Sequence, residues 1–483
     1  MLSCVGFSDE LAFTEGGTAT LSGTGDGNMS EEGLDGRLRS AVRAGDAKTV
    51  RDLLDGGANP NAVDANGLPV LCVAVAAYDE PVAEALVEGG ADPDRVLPDG
   101  TTPLWRAIDG GSPATFSAVL GKEPRLRLPE PARERLLALA RSWYERGAAE
   151  ELRRRTGVLV PARTVRVQDG EYDWVDQVSV GGLVVRAGHG AILTSLEWAF
   201  RVLTPVDELI ARAVEQPDEQ HVGWSTGCWI LAQRRSFETW SAVVAHRHDP
   251  DRAHRLFVLD YLRTRGFLDT SPYYEKKESE LLATWAAEET DGETLAKVLD
   301  IFTGQEHPDQ EAIGLRHAGH PDPRVRREVP YALSGGGGLR TPAARAALLT
   351  LMSDPDAEVR LRACTTSMGD ADLLPEITRT LLSLVSGPDA DVRGAVAAAL
   401  AGSPDRTPVV ADALAALLGE DDQLVRLEAA YGLALRDDPR TAEAIERVGP
   451  LGDGFEHDHR ADELWRWRWR KEKALRGSDD RQA

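Results

Sequence analysis

In the second half of the chain, apolar residues fall at helical spacing behind a recurring turn. Val325, Val329 and Leu333 form one stripe, Val392, Val396 and Leu400 a second, and Val425, Ala429 and Leu433 a third. Residues four apart share one face of a helix, so each stripe predicts an amphipathic helix. The stripes open inside a phrase, Pro-Asp-x-x-apolar-Arg, read at 321–326, 355–360 and 388–393 and, without its proline, at 421–426. Its valines stand at 325, 359, 392 and 425, steps of 34, 33 and 33 residues. Proline stops the preceding helix, and aspartate three residues before the valine is placed to cap free backbone N–H groups. A second amphipathic stretch precedes each phrase, as at 343–352 and 373–385. Two helices per 33 residues, stacked on their neighbours, predict a solenoid with one continuous core.

The register continues upstream more faintly. Pro250-Asp251…His254-Arg255 is followed by Val258 and Leu262, and Pro217-Asp218…His221 lies one period earlier. A further unit is expected around 291–298, with 271–274 as an insertion, giving about seven helix pairs between 204 and 448. These residues closely resemble HEAT repeats, in particular the short bacterial kind also found in phycobilisome lyase-like proteins. The resemblance implies a ladder between adjacent repeats, built from Asp322, Asp356, Asp389 and Asp422 with Arg326, Arg360, Arg393 and Arg426. Such a ladder is architectural and carries almost no information about activity.

A second grammar precedes the first. Gly56-Gly57-Ala58-Asn59-Pro60-Asn61 recurs as Gly89-Gly90-Ala91-Asp92-Pro93-Asp94, and Gly67 recurs as Gly100, each a step of 33. Glycine after a helix supplies a left-handed cap, and Asp/Asn-x-Gly makes a projecting turn. Gly100-Thr101-Thr102-Pro103-Leu104-Trp105-Arg106-Ala107 resembles the ankyrin signature Gly-x-Thr-Pro-Leu-His-x-Ala, with tryptophan where histidine is usual. About three repeats are expected, beginning near Leu34, the third decaying after Gly110-Gly111-Ser112-Pro113. Ankyrin-like proteins typically bind through turn tips and inner helices. The resemblance therefore makes Asp64, Asn66, Asp99, Trp105 and Arg106 partner-binding candidates. Trp224, on the second helix of the first HEAT-like pair, joins them, while Trp229 reads as core.

The expected fold class is mainly α: two helical-repeat solenoids, ankyrin-like then HEAT-like, with a small α+β connector. The expected divisions are a disordered leader over 1–30 (or a start at Met29), ankyrin-like repeats over 31–128 and a capping helix over 129–156. A β-rich connector over 157–203, the HEAT-like solenoid over 204–448 and a tail over 449–483 follow. The connector is read from β-like runs at 164–167, 174–180 and 183–186, with Gly181-Gly182 as a two-residue hairpin turn. It docks one solenoid on the other or offers a sheet edge to a partner strand. The tail, Trp465-Arg466-Trp467-Arg468-Trp469-Arg470, either lays Trp465 and Trp469 over the last repeat as a helix or forms a contact site.

Composition narrows the partners. With 483 residues and a formal net charge of -24, the chain is long enough for several domains and too acidic for general phosphate binding. Neither nucleic acid nor a membrane is an expected partner, and no apolar run is long enough to span a bilayer. Cys4, Cys72, Cys228 and Cys364 are far apart without a Cys-x-x-Cys pair, which fits a reducing cytoplasm. Arginine-rich, lysine-poor usage with abundant Ala and Gly suggests a GC-rich bacterial genome. His246 and His248 beside Asp249, and His457 and His459 beside Glu456 and Asp458, are local clusters without a second ligand set, so no metal is assigned. His317 and His320 read as exposed or capping. Gly335 to Gly338 lack the Lys-Ser/Thr of a phosphate loop and read as a flexible turn, and His189 near Ser195 has no orienting carboxylate. No catalytic residue and no cofactor is assigned. The sequence points to a non-enzymatic scaffold or adaptor for a protein or peptide. The alternative is a HEAT-solenoid enzyme of bilin lyase-like or alkyl-base glycosylase-like type.

Overall fold

The structure, a computed structural model, describes residues 31–334, 340–452, 454–455 and 457–479. The expected leader and the tetraglycine turn lie outside the described residues. The chain divides into two compact units, Met1–Leu193 and Thr194–Ala483.

In the first unit, α1 (Glu31–Ala44) pairs with α2 (Ala47–Asp55), α3 (Val70–Ala77) with α4 (Glu80–Glu88), and α5 (Pro103–Gly110) with α6 (Pro113–Leu120). Side chains of Asp46, Asp79, Thr102 and Ser112 cap α2, α4, α5 and α6, satisfying N–H groups that a helix start leaves open. Short helix α7 (Pro124–Arg127) leads into α8 (Glu130–Arg146) and α9 (Ala148–Thr156). The single helix expected here is two, because Gly147 takes a φ of 78° between them.

Three antiparallel strands follow in the order β1 (Arg163–Gln168), β2 (Trp174–Val180), β3 (Leu183–Arg186). Gln168 pairs with Trp174 and Val180 with Leu183. Gly181 and Gly182 both adopt positive φ, as a tight turn matched to strand twist requires. Val178, Val180 and Val185 share a core with Trp143, Ala148 and Leu152 of α8 and α9. The sheet therefore groups with the first unit instead of standing as a separate connector. Helix α10 (His189–Ala199) crosses the division after Leu193.

The second unit is a helical-repeat solenoid. Its pairs are α11 (Val206–Val214) with α12 (Val222–Gln233), α13 (Phe237–Ala245) with α14 (Arg252–Leu268), and α15 (Pro272–Glu288) with α16 (Gly292–Thr303). Then come α17 (Gln310–His317) with α18 (Pro323–Ala332), and α19 (Pro342–Leu351) with α20 (Ala357–Ser367). Next are α21 (Leu374–Leu384) with α22 (Ala390–Gly402), and α23 (Pro408–Leu417) with α24 (Gln423–Leu435). Two further helices close the array, α25 (Thr441–Val448) and the tail helix α26 (His459–Asp479), each packed on α24. The expected insertion at 271–274 is instead the start of α15, with Pro272 in its first turn. Asp251, Asp291, Asp322, Asp356, Asp389 and Asp422 cap the second helices of their pairs. Three residues on, Val325, Val359, Val392 and Val425 are buried, and successive second helices pack on one another along the array. In the first pair the cap is His221, three residues later than the sequence phrase suggests, so Trp224 fills the valine position.

Candidate interaction surfaces and a histidine cluster

Two projecting fingers follow α2 and α4. In the first, the Asp64 carboxylate accepts from the backbone N–H groups of Asn66 at 2.8 Å and Leu68 at 2.9 Å, and Val63 bridges Pro69. In the second, Asp99 accepts from the Thr101 N–H at 3.0 Å, the Thr101 hydroxyl at 2.7 Å and the Arg106 guanidinium at 2.8 Å. The Thr101 hydroxyl and N–H hold the Asp99 carboxyl down to about 2. Both aspartates thus shape their turns, and Arg106 braces the second one. Trp105 is half-buried, whereas Asn66 and the tip residues Ala65 and Gly67 are exposed. Val96, which the sequence did not single out, is 73% exposed beside the second finger.

The fingers are tied to each other. Asn61 donates to the Gly90 carbonyl and accepts from the Asp92 N–H, and Arg127 pairs with Asp94 one repeat further on. The third repeat ends where the sheet docks. Gly111 has a φ of 76°, and a Cβ there would lie 1.8 Å from the Arg186 carbonyl oxygen. Buried Asp169 accepts from the Ser112 hydroxyl at 2.5 Å and the Ala114 N–H at 2.9 Å, and pairs with Arg186. Trp143 lies between His189, stacked at 4.5 Å, and the Arg155 guanidinium at 4.4 Å, and donates to Asp109 at 2.9 Å. His189 is therefore a core residue of this seam, and burial pushes its imidazole down to about 4.

The ladder of the second unit differs from the expected pairing. Each phrase arginine folds back on two carbonyls before its own helix: Arg326 on His320 and Pro321, Arg360 on Asp354 and Pro355, Arg393 on Gly387 and Pro388, Arg426 on Glu420 and Asp421. The carboxylate that an arginine reaches in the next pair lies two residues before the capping aspartate. Arg326 forks onto Asp354 at 2.7 and 2.8 Å, Arg393 reaches Glu420 at 3.1 Å, and upstream Arg255 reaches Glu289 at 3.2 Å. Asp322, Asp356, Asp389 and Asp422 are not those rungs: they cap their own helices, and the phrase arginine turns to the acid two residues earlier. Asp356 caps and also receives Arg327, the residue after the phrase arginine of the preceding pair, at 2.8 Å. Gly387 stands where Arg360 would need an acid.

Trp224 is not a surface residue. It is 2% exposed, meets Phe257 edge-on at 5.3 Å and donates to Asp260 at 2.9 Å. Trp229 is the exposed one, at 49%. The signal lay in phase: Trp224, Cys228 and Leu231 share a stripe that Trp229 leaves. The tail shows the same shift. Trp467, 7% exposed, packs with Leu464 on the last repeat and donates to Asp437 at 2.8 Å, while Trp465 and Trp469 are 66% and 51% exposed.

The histidines also sort differently. His317 is buried, its Nε2 at 3.0 Å from the Ala286 carbonyl oxygen, and His459 meets Tyr431 edge-on. His246 and Asp249 come together with His254, not with His248, which is exposed.

Helix pairs with projecting fingers, followed by stacked helix pairs, define a helical-repeat protein with two arrays. Residues 38–127 match the family described as ankyrin repeats, in three copies. No curated protein matches the chain. Among solved structures the chain is similar to an engineered protein at 14% identity, covering 88% of this chain and 100% of that one, with a TM-score of 0.32. It is also similar to the karyopherin Kap121p, solved bound to the extreme C-terminus of the protein phosphatase Cdc14p. That match has 11% identity over 84% of this chain and 46% of the other, with a TM-score of 0.32. Both likenesses are loose and carry no function to this chain. Among the described residues no helix is long and apolar enough to cross a membrane.

Proposed function

We propose that the protein is a non-enzymatic scaffold that binds a protein or peptide through its repeat surfaces, with the ankyrin fingers as a primary contact. The observation that carries this reading is the way the fingers are built. Asp64 and Asp99 spend their carboxylates on their own turns, so the tips are held in shape before anything binds, and little ordering entropy remains to be lost on contact. Exposed Asn66 and Val96 supply a polar and an apolar contact on those braced turns. The net charge of -24 favours a basic partner segment. Buried free thiols at Cys72, Cys228 and Cys364 suit a reducing, cytoplasmic setting.

The test is retention from native extract by the immobilised full chain, compared with an Asn66→Ala/Val96→Asp variant of unchanged helical circular dichroism. The expected result is a stoichiometric protein partner whose retention drops more than tenfold in the variant. Equal retention by both overturns the finger assignment. Co-purification of a chromophore absorbing beyond the aromatic band, or of nucleic acid, overturns the scaffold reading itself.

A further inference from the structure

The turn between α13 and α14 departs in two places from the pattern of the fifth and seventh pairs, and both departures meet at one point. In the pairs bridged by the ladder, an acid two residues before the cap receives an arginine from the preceding pair, as Asp354 receives Arg326. Asp249 holds that acid position in the second pair, but Ser225 stands where the first pair would carry the arginine. Three residues after the cap, where Val325, Val359, Val392 and Val425 are buried, this pair has His254. An acid without its guanidinium therefore faces an imidazole in place of an apolar plug.

A second imidazole completes the set. His246 lies in the 3-10 turn 246–248, with Nδ1 at 3.5 Å from Asp249 Oδ2 and Nε2 at 3.2 Å from Asp207 Oδ1 on α11. A carboxylate behind one ring nitrogen fixes the tautomer and leaves the other nitrogen's lone pair for a ligand, the arrangement that commonly supports metal-bound histidine. His254 Nδ1 lies 3.9 Å from Asp249 Oδ1 and 3.5 Å from Asp251 Oδ2, is shielded from solvent and has no hydrogen-bond partner. The two rings are nearly parallel, 16° apart, with centroids separated by 5.6 Å. The donor atoms of His246, Asp249 and His254 all lie within 4.8 Å of one another. Ligand bonds of about 2.0 Å in a tetrahedral site put neighbouring donors about 3.3 Å apart, so a small contraction closes the set on an ion.

We propose that His246, Asp249 and His254 bind one divalent transition-metal ion, zinc by preference, which fastens the turn between α13 and α14. Two imidazole nitrogens and one carboxylate oxygen suit zinc, cobalt, nickel or copper and are a poor match for magnesium or calcium, which prefer all-oxygen shells. Three protein ligands leave a fourth position for water or for Asp251. Asp207, held on α11, acts from behind His246 and couples the ion to the first pair. The inference is independent of the scaffold reading, because the ion would be structural.

The test uses the full chain, stripped with chelator and titrated with zinc chloride, and the variant His254→Val. Valine is the residue of the fourth to seventh pairs at this position, so the variant keeps the fold. The wild type is expected to bind one more equivalent of zinc than His254→Val, with at least tenfold loss of that site's affinity in the variant. Zinc, and not magnesium, is expected to raise the wild-type melting temperature by several degrees, and cobalt to give a visible d–d band that His254→Val lacks. Equal zinc stoichiometry in the two proteins, or no zinc-dependent difference in their melting, overturns the site. Zinc bound only elsewhere, at His457 and His459 for example, appears equally in both proteins and overturns the proposal.

Discussion

Arg326 and Arg360 occupy one repeat position, fold back on the same two carbonyls, and differ by a single carboxylate in the neighbouring pair. Asp354 receives the fork of Arg326, with both side chains largely buried, while the corresponding position for Arg360 is Gly387. Removing one partner of a buried pair strands the other and costs roughly 3–5 kcal/mol, more than the loss of two neutral hydrogen bonds. Arg326→Ala is therefore expected to destabilise the second unit by about 2 kcal/mol more than Arg360→Ala, read as the difference in urea midpoints of that unit's transition. Equal effects would show that the fork adds nothing beyond the carbonyl contacts. The sequence made the arginines conspicuous and hid their partners. A rung joins positions 28 residues apart in one repeat, 27 in another and 34 in a third, and its acid is Asp in one repeat, Glu in two and absent before α22. Trp224 was misread for a different reason: its role depends on its distance from the cap, and the cap is His221 instead of Asp218.

At the level of elements, helices and strands were legible wherever an apolar period and a turn residue agreed. The two-glycine hairpin, the capping aspartates and the helix pairs all satisfy that condition. Rotation about a helix axis was not legible where aromatic and basic residues simply alternate. In α26 a period of two puts the tryptophans on no single helical face, and contact with Asp437 and the last repeat selects Leu464 and Trp467. Truncating two buried apolar side chains costs several kcal/mol, whereas exposed ones cost little. Leu464→Ala/Trp467→Ala is expected to lower the melting temperature of the second unit by several degrees. Trp465→Ala/Trp469→Ala is expected to shift it by less than about one degree, and the reverse order in calorimetry would mean that α26 is seated on its other face.

Taken whole, the molecule is two compact bodies in one chain, so heating is expected to show two transitions with different sensitivities. Acid acts on the first through His189. His189 has a folded pKa of about 4 against its ordinary 6.5, so across that window the unfolded chain binds more protons than the folded one. The stabilisation is complete above pH 6.5 and is lost as pH falls toward 4, a loss of about 3 kcal/mol at 1.36 kcal/mol for each pH unit. The transition of the first unit is expected to fall over this range, and His189→Phe, which keeps the stack on Trp143 without a titrating group, to flatten the fall. A variant with the wild-type pH dependence would place the titration elsewhere. None of this was visible in the sequence, where His189 looked like a lone histidine beside a serine. Its burial depends on Trp143 and Arg155, brought to it by the docking of the sheet.

The ladder has a mechanical consequence. Its carboxylate rungs join the second pair to the third, the fourth to the fifth and the sixth to the seventh, through Arg255, Arg326 and Arg393. Between the fifth and sixth pairs Gly387 leaves a gap, and beyond apolar packing the junction holds the Thr380 hydroxyl on the Met352 carbonyl oxygen at 3.4 Å and Arg345 of α19 on Asp372, just before α21, at 2.9 Å. Other ion pairs cross joints that lack a rung, Arg324 with Glu293 between the third and fourth pairs and Arg460 with Glu428 beyond the seventh, so the array behaves like stiff blocks on either side of one softer hinge. Its curvature adjusts most readily at that fifth joint, where a partner could flex the surface while every rung elsewhere stays closed.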